Sequence, residues 1–352
     1  GLNLFRQVAI NQARLASTQN KITNDVTGAV IDTTTAANAA LRAPFQGVST
    51  NGFFQNQSTA QSSYNSLQGS LTKRFSKGVQ FLAAYTFAKA IDNASGQGGG
   101  AGTIGVLNPG AVGETSTILG DQRNNRANRG IADFDRTHRF VLSGIWELPS
   151  PKNSGFAKAV FGGWQVGGIV TLMSGLPIDI IDNGAGSFYG LSGGSNTLAR
   201  PNYVAGATRD TATSSVPAGY YFNPRAFARP VILAGQPIPS SGAQVIAGSA
   251  GTDVGSIGRN ILRGPRQNNT DFSLIKRFHF GETKSFEFRT EFFNVFNQVN
   301  LANPISDLNA VVSSGGSLDA ATGAVVNPGS FGKIISATNN PRIIQFGFKF
   351  SY

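Results

Sequence analysis

The chain contains no cysteine, so disulfides and cysteine-ligated metal sites are closed to it, and its redox compartment stays open. It has two histidines, His138 and His279, too few for a histidine-rich metal centre. Charged residues make up only 13%, against about 25% in average chains. Nowhere do about 18 apolar residues follow one another, which excludes a transmembrane helix. The basic surplus of +11 is scattered, and no basic run occurs, so nucleic acid is not an expected partner. The opening stretch, GLNLFRQVAINQARLAS, lacks the charged start, apolar run and cleavage site of a secretory signal. It is expected to continue a longer chain.

What is present is glycine and phenylalanine, 44 and 26 residues. The phenylalanines recur at every second position. In IIQFGFKFSY, Ile344, Phe346, Phe348, Phe350 and Tyr352 share one face, and Ile343, Gln345, Gly347, Lys349 and Ser351 the other. A period of two is the mark of a β-strand. Upstream, Phe286, Phe288, Phe292 and Phe296 alternate with Glu287, Arg289 and Glu291. Phe272, Leu274, Phe278 and Phe280 fall together, with Lys276 as an exception. The same alternation aligns Val79, Phe81, Ala83, Tyr85 and Phe87; Phe140, Leu142, Trp146 and Leu148; Trp164, Val166, Val170, Leu172 and Leu176; and, more weakly, Leu67, Leu71 and Phe75. About seven strands of roughly 10–14 residues result, where ordinary strands run about 5–6 and a tilted bilayer crossing needs about 9–11. No amphipathic helix is expected between them.

The connections alternate in length. SKG and GET make tight turns, and about a dozen residues including SPKNSG join the strands near 138–149 and 163–178. Between these hairpins lie glycine-, serine-, asparagine- and proline-rich stretches at about 92–136, 179–268 and 298–340. Loops beyond about 15 residues are uncommon in compact soluble domains. Short turns at one end and long loops at the other are the layout of an outer-membrane barrel. Trp146 and Trp164 flank one short connection, and Tyr352 ends at the same side, which suits an aromatic girdle.

Several stretches resemble the C-terminal β-barrel of TonB-dependent outer-membrane transporters of the Oar-like type. They are SSYNSLQGSLTKRFSKGVQFLAAYTFAKAIDNAS, RGIADFDRTHRFVLSGIWELP, FGGWQVGGIVTLMSGLP, GRNILRGPRQNNTDFSLIKRF, FEFRTEFFNVFNQVNLANP and NPRIIQFGFKFSY, and GLNLFRQVAINQ looks like the outer end of one more strand. The order and spacing of the segments carry the resemblance. It implies an all-β, antiparallel transmembrane barrel of about 22 strands, plugged by a folded N-terminal domain. Residues 1–352 would then be one C-terminal segment, about the last third of the barrel, forming an open curved sheet of seven to eight long strands. The plug, the TonB box and a carboxypeptidase-regulatory-like domain would lie outside it. The implied partners are membrane lipid, the barrel assembly machinery and the TonB complex, in the outer membrane of a Gram-negative bacterium. The substrate is open.

On this reading Glu287, Arg289 and Glu291 face the polar lumen. Phe346, Phe348, Phe350 and Tyr352 face lipid and end the chain with a signal for barrel assembly. Two motifs suggest chemistry and lack its context. GAGTIG, with Gly100, Gly102 and Gly105, fits a dinucleotide fingerprint but has neither the preceding strand nor the following helix. DFDRTHR gathers Asp133, Asp135, Arg136, His138 and Arg139 without a nucleophile elbow, and reads as a polar cluster at the barrel rim. No catalytic, cofactor or metal site is expected, and no enzyme. The rival readings are a smaller outer-membrane barrel with an adhesive or structural role, and a secreted all-β binding protein.

Overall fold

The computed structural model describes residues 4–14, 16, 21–35, 37–50, 54–93, 125–151, 155–182, 200–229, 231–233, 246–248, 255, 257–281, 283–319 and 322–352. The strands used below are β1 (Leu4–Ala9), β2 (Phe54–Ala60), β3 (Ser62–Ser76), β4 (Val79–Asp92), β5 (His138–Glu147), β6 (Trp164–Met173), β7 (Gln267–Phe280), β8 (Lys284–Phe293) and β9 (Ile343–Ser351). Seven of them form one antiparallel sheet in the order β9-β8-β7-β6-β5-β4-β3, with Gly130–Ile131 adding to the C-terminal end of β4. The fold is all-β, and its helices are short. Strand β2 runs on into β3 and pairs antiparallel with β1.

Because neighbours in sequence are neighbours in the sheet, three short connections fall at one end and three long ones at the other. The tightest turn, Lys77–Gly78, joins Ser76 directly to its partner Val79, with φ of 51° and 77°. Two consecutive positive φ values match the right-handed twist of the flanking strands. Gly78 is fixed a second way, since a Cβ there would stand 2.8 Å from the carbonyl oxygen of Glu147.

The register aligns the alternating residues across strands. One row runs Phe81, Gly144, Gly168, Phe272, Phe292, Ile344 from β4 to β9. The next row on that face is Val79, Trp146, Val166, Leu274, Thr290, Phe346. Between them, on the opposite face, lies the row Gln80, Ile145, Gly167, Ser273, Glu291, Gln345. One face is therefore aromatic and aliphatic. The other is polar at β7–β9 and carries Leu82, Val141, Ile145 and Ile169 at β4–β6.

Three details depart from the sequence reading. Phe296 does not extend the aromatic row, because β8 ends at Phe293 and the chain turns at Asn294 and Asn297, both at positive φ. The strand expected over 163–178 stops at Met173; Pro177–Ile178 pairs instead with Leu262–Arg263. A short helix, α1 (Phe156–Phe161), occupies the β5–β6 connection.

The long connections are not bare loops. Described residues of the two longest connections pack a hydrophobic core of their own, with Ile178, Ile180, Phe222, Phe227, Leu262, Leu308, Val311 and Phe331 at its centre. Two more short helices, α2 (Arg209–Thr213) and α3 (Asn309–Ser313), join this cap. Phe222, Phe227 and Phe331 meet edge to face, their ring centroids 5.1–5.9 Å apart, a spacing and tilt favoured by the ring quadrupoles.

Candidate functional site

The functional geometry lies in the two faces of the sheet and in the joint between sheet and cap. On the polar face, β7 and β8 carry a ladder of charges. Arg277 Nε donates to Glu287 Oε2 at 2.8 Å, and Arg289 Nη2 to Glu287 Oε1 at 3.0 Å. Arg289 Nη1 stands 3.6 Å from Glu291 Oε1, and Lys349 lies opposite Glu287 on β9. The three predicted charges therefore form one continuous network on one face. Each partly exposed pair contributes only about 0.2–1 kcal/mol, so the network is a hydrogen-bonding surface more than a brace.

On the other face, Phe286, Phe288, Phe346 and Phe348 make cross-strand ring contacts, such as Phe288–Phe346 with centroids 6.1 Å apart and 12° between planes, and Phe350 stacks on Tyr352. Phe348 is 70% exposed and Tyr352 93%. Trp146 and Trp164 lie on this same face at the short-turn end, and Tyr352 reaches that end on β9.

Lys276 also lies on the aromatic face, directly opposite Trp164 and Phe288, yet it is only 3% exposed. The helix α1 folds over it. Lys276 Nζ donates to the carbonyl oxygens of Ala159 at 2.7 Å, Val160 at 3.1 Å and Gly162. The ammonium also sits 5.2 Å from the Trp164 ring and 4.9 Å from that of Phe278.

At the long-loop end, carboxylates near the strand ends meet arginines from the cap. Arg259 bonds Asp92 at 2.7 Å and Asp133 at 2.9 Å. Arg263 Nη2 donates to Asp135 Oδ2 at 2.7 Å and to Thr137 Oγ1 at 2.9 Å, while Asp135 Oδ1 accepts from Ala90 N–H at 2.6 Å. Arg200 pairs with Asp179. Arg229 grips Asp182 with two bonds of 2.8 and 3.0 Å. Asn260, held at φ of 53°, bonds Asp133, the carbonyl of Ile131 and, through its N–H, Asp179.

Burial raises the Asp133 carboxyl above its ordinary 3.8, although Arg259 and Asn260 pull it down. Burial works against Arg259 too, but Asp133, Asp92 and Asp179 together hold its guanidinium above the ordinary arginine value. The asymmetry has a simple cause: three acids share this arginine.

DFDRTHR is thus divided. Asp133 and Asp135 join the rim network, and Arg136 donates to the carbonyl of Ser174 at 2.6 Å. His138 turns to the aromatic face, where its Nδ1 lies 2.8 Å from the Tyr85 hydroxyl and its ring packs on Phe87. The structure brings no Asp–His pair together there. GAGTIG lies outside the described residues. No group of three or more histidine, cysteine, aspartate or glutamate side chains suited to a metal occurs among the described residues.

Sequence reasoning missed the cap and its arginines. Arg200, Arg229, Arg259 and Arg263 stand in ordinary loop sequence, and the one available signal was a surplus of isolated arginines in stretches otherwise poor in charge.

No helix among the described residues is long and apolar enough to cross a membrane, which leaves crossing by strands open. A family model described as an outer membrane beta barrel domain matches residues 1–345. No curated protein matches the chain. No solved structure matches it either. With a sheet of long antiparallel strands, one aromatic face and a match over nearly its whole length, the chain belongs to the outer membrane beta barrel domain family, and its place is the outer membrane of a Gram-negative bacterium.

Proposed function

We propose that the chain is barrel wall and outer cap of a TonB-dependent receptor that takes up a substrate across the outer membrane. The single observation that carries this reading is the union of a charged face, Arg277–Glu287–Arg289–Glu291, with a folded cap over the long-loop end of the same sheet. A wall needs no core-bearing cap, whereas a receptor must hold loops in a fixed shape to select a ligand. The resemblance of the ordered segments to Oar-like transporters supports the same conclusion.

In this reading the aromatic face meets lipid and the charge ladder faces a wet lumen. Among the described residues, strands β3 and β9 each have one partner along their length in the sheet. An unpaired edge is untenable in hydrocarbon, so further strands close the barrel. The cap binds substrate from outside, and inner-membrane energy, delivered through TonB to a plug, releases it inward. The chain performs no covalent chemistry. Its last strand, ending in Phe346, Phe348, Phe350 and Tyr352, engages the assembly machinery.

The test is genetic. A strain lacking the complete protein and a strain lacking TonB should fail on the same nutrient, and the double mutant should do no worse than either. Loss of surface attachment with unchanged growth on every nutrient would overturn transport in favour of an adhesive barrel.

A further inference from the structure

The short-turn end of the aromatic face carries an element that a bare barrel wall does not need. Helix α1 is exposed along its whole length, yet its residues are sorted. At about 100° per residue, Phe156, Ala157, Val160 and Phe161 occupy one arc and Lys158 stands outside it. Phe156 is 84% exposed and Phe161 64%.

The helix is not loosely attached. Its C-terminal carbonyls take the Lys276 ammonium, and the Val160 carbonyl also accepts from Trp164 Nε1 at 2.8 Å. A cation at a helix C-terminus is favoured by the helix dipole. The arrangement solves two problems together. It removes a lysine from among Trp164, Phe278 and Phe288, and it satisfies carbonyls that a six-residue helix leaves open. The result is an apolar arc pinned beside that face at the level of Trp146 and Trp164.

Charge at this end points to the occupant. Arg74 and Lys77 at the β3–β4 turn, Lys158 on α1 and Lys284 at the β7–β8 turn are all exposed, and among the described residues at these turns Glu147 is the exposed acid. A basic rim next to aromatic anchors matches the phosphate layer of a phospholipid leaflet, with acyl chains beside it.

We propose that α1 is a lipid-docking element. It lies in the headgroup region at the short-turn end, with Phe156 and Phe161 entering the acyl boundary and Lys276 as its tether to the sheet. This rests on the reading that the aromatic face meets lipid.

The chain has no cysteine, so single nitroxide labels can be placed cleanly. The complete protein with its closed barrel, any cysteine outside these residues replaced, would be reconstituted in vesicles of phosphatidylethanolamine and phosphatidylglycerol. Collisions with oxygen and with a water-soluble nickel reagent would be compared for labels at Phe161→Cys, Phe348→Cys and, as the aqueous reference in the cap, Val326→Cys. The label at 348 should be rich in oxygen and shielded from nickel. The label at 161 should lie between the other two, with nickel collisions several-fold below those at 326.

Adding Lys276→Met should return the label at 161 to aqueous values while the label at 348 stays put. Water-like access at 161 with 348 still in lipid overturns the proposal and leaves the lipid face standing. Water-like access at 348 overturns both. Spin–spin broadening at 161, with shielding from both reagents, would mean that a second copy covers the helix, and would also overturn the lipid assignment.

Discussion

The sheet and the cap are built from similar residues turned in opposite directions. In the cap, Phe227 and Phe331 are 0% exposed and Phe222 1%, and the pairs Arg229–Asp182 and Arg200–Asp179 are buried with them. In the sheet, Phe346 and Phe348 are 60% and 70% exposed, and the charges occupy the opposite, partly wet face. Exposed phenylalanine on this scale would drive a soluble protein to aggregate. On the proposed reading the chain carries two cores, one enclosed inside the cap and one on the aromatic face of the sheet whose apolar partner is lipid.

The comparison breaks most sharply in the cap. Phe227→Ala leaves a hole among three interlocking rings and should cost about 3–5 kcal/mol, read as faster proteolysis of the cap at unchanged membrane level. Phe348→Ala, which leaves no enclosed hole, should leave cap proteolysis as it was. Arg229→Met, which takes the guanidinium away from the buried Asp182 carboxylate, should cost a similar amount, about 3–5 kcal/mol. The double variant Arg229→Met with Asp182→Leu should recover most of that loss, because two apolar side chains replace two desolvated charges. A double variant as unstable as the single one would mean that the pair supplies more than mutual compensation.

In the sheet the sensitive change is the reverse. Phe288→Arg puts a cation on the aromatic face and should cost about 2–4 kcal/mol if it sits at mid-membrane. Arg289→Gln, one residue away, breaks only partly exposed pairs and should cost about 0.2–1 kcal/mol. Outer-membrane levels and heat-modifiable mobility of the two variants measure the contrast. Equal effects would remove the assignment of faces.

The sheet was legible because its two faces meet different surroundings, and a period of two writes that difference into consecutive residues. Phe286, Glu287, Phe288 and Arg289 announce their faces without any help from the rest of the chain. The cap was not legible, because its core is assembled from points with no common period. Ile178, Phe222, Leu308 and Phe331 come from two long connections, and Arg259 reaches Asp92 across 167 positions. Lys276 looked like a flaw in its strand for the same reason. The carbonyls that accept it lie 114–117 positions away, so nothing local could show that the charge was satisfied. Phe296 marks the opposite error, in which periodicity continues past a strand end that asparagines at positive φ had already set.

The smallest effect concerns the joint between the two regions. Burial raises the Asp133 carboxyl above 3.8, the value it would have in the unfolded chain. The folded joint therefore takes up a proton more readily than the unfolded chain does. Stability contributed by this group is fully present below that value, and is lost as pH rises through the raised one. An asparagine in its place would keep a hydrogen-bonding oxygen toward Arg259 and Asn260 and would not titrate. The Asp133→Asn chain should gain on the wild type as pH climbs from about 4, and the difference should level off once Asp133 is ionised in the fold. Thermal release of the cap, followed by limited proteolysis of both chains across that range, reads the difference directly. A wild type that gains on the variant as pH rises would show that attraction to Arg259 outweighs burial at this joint.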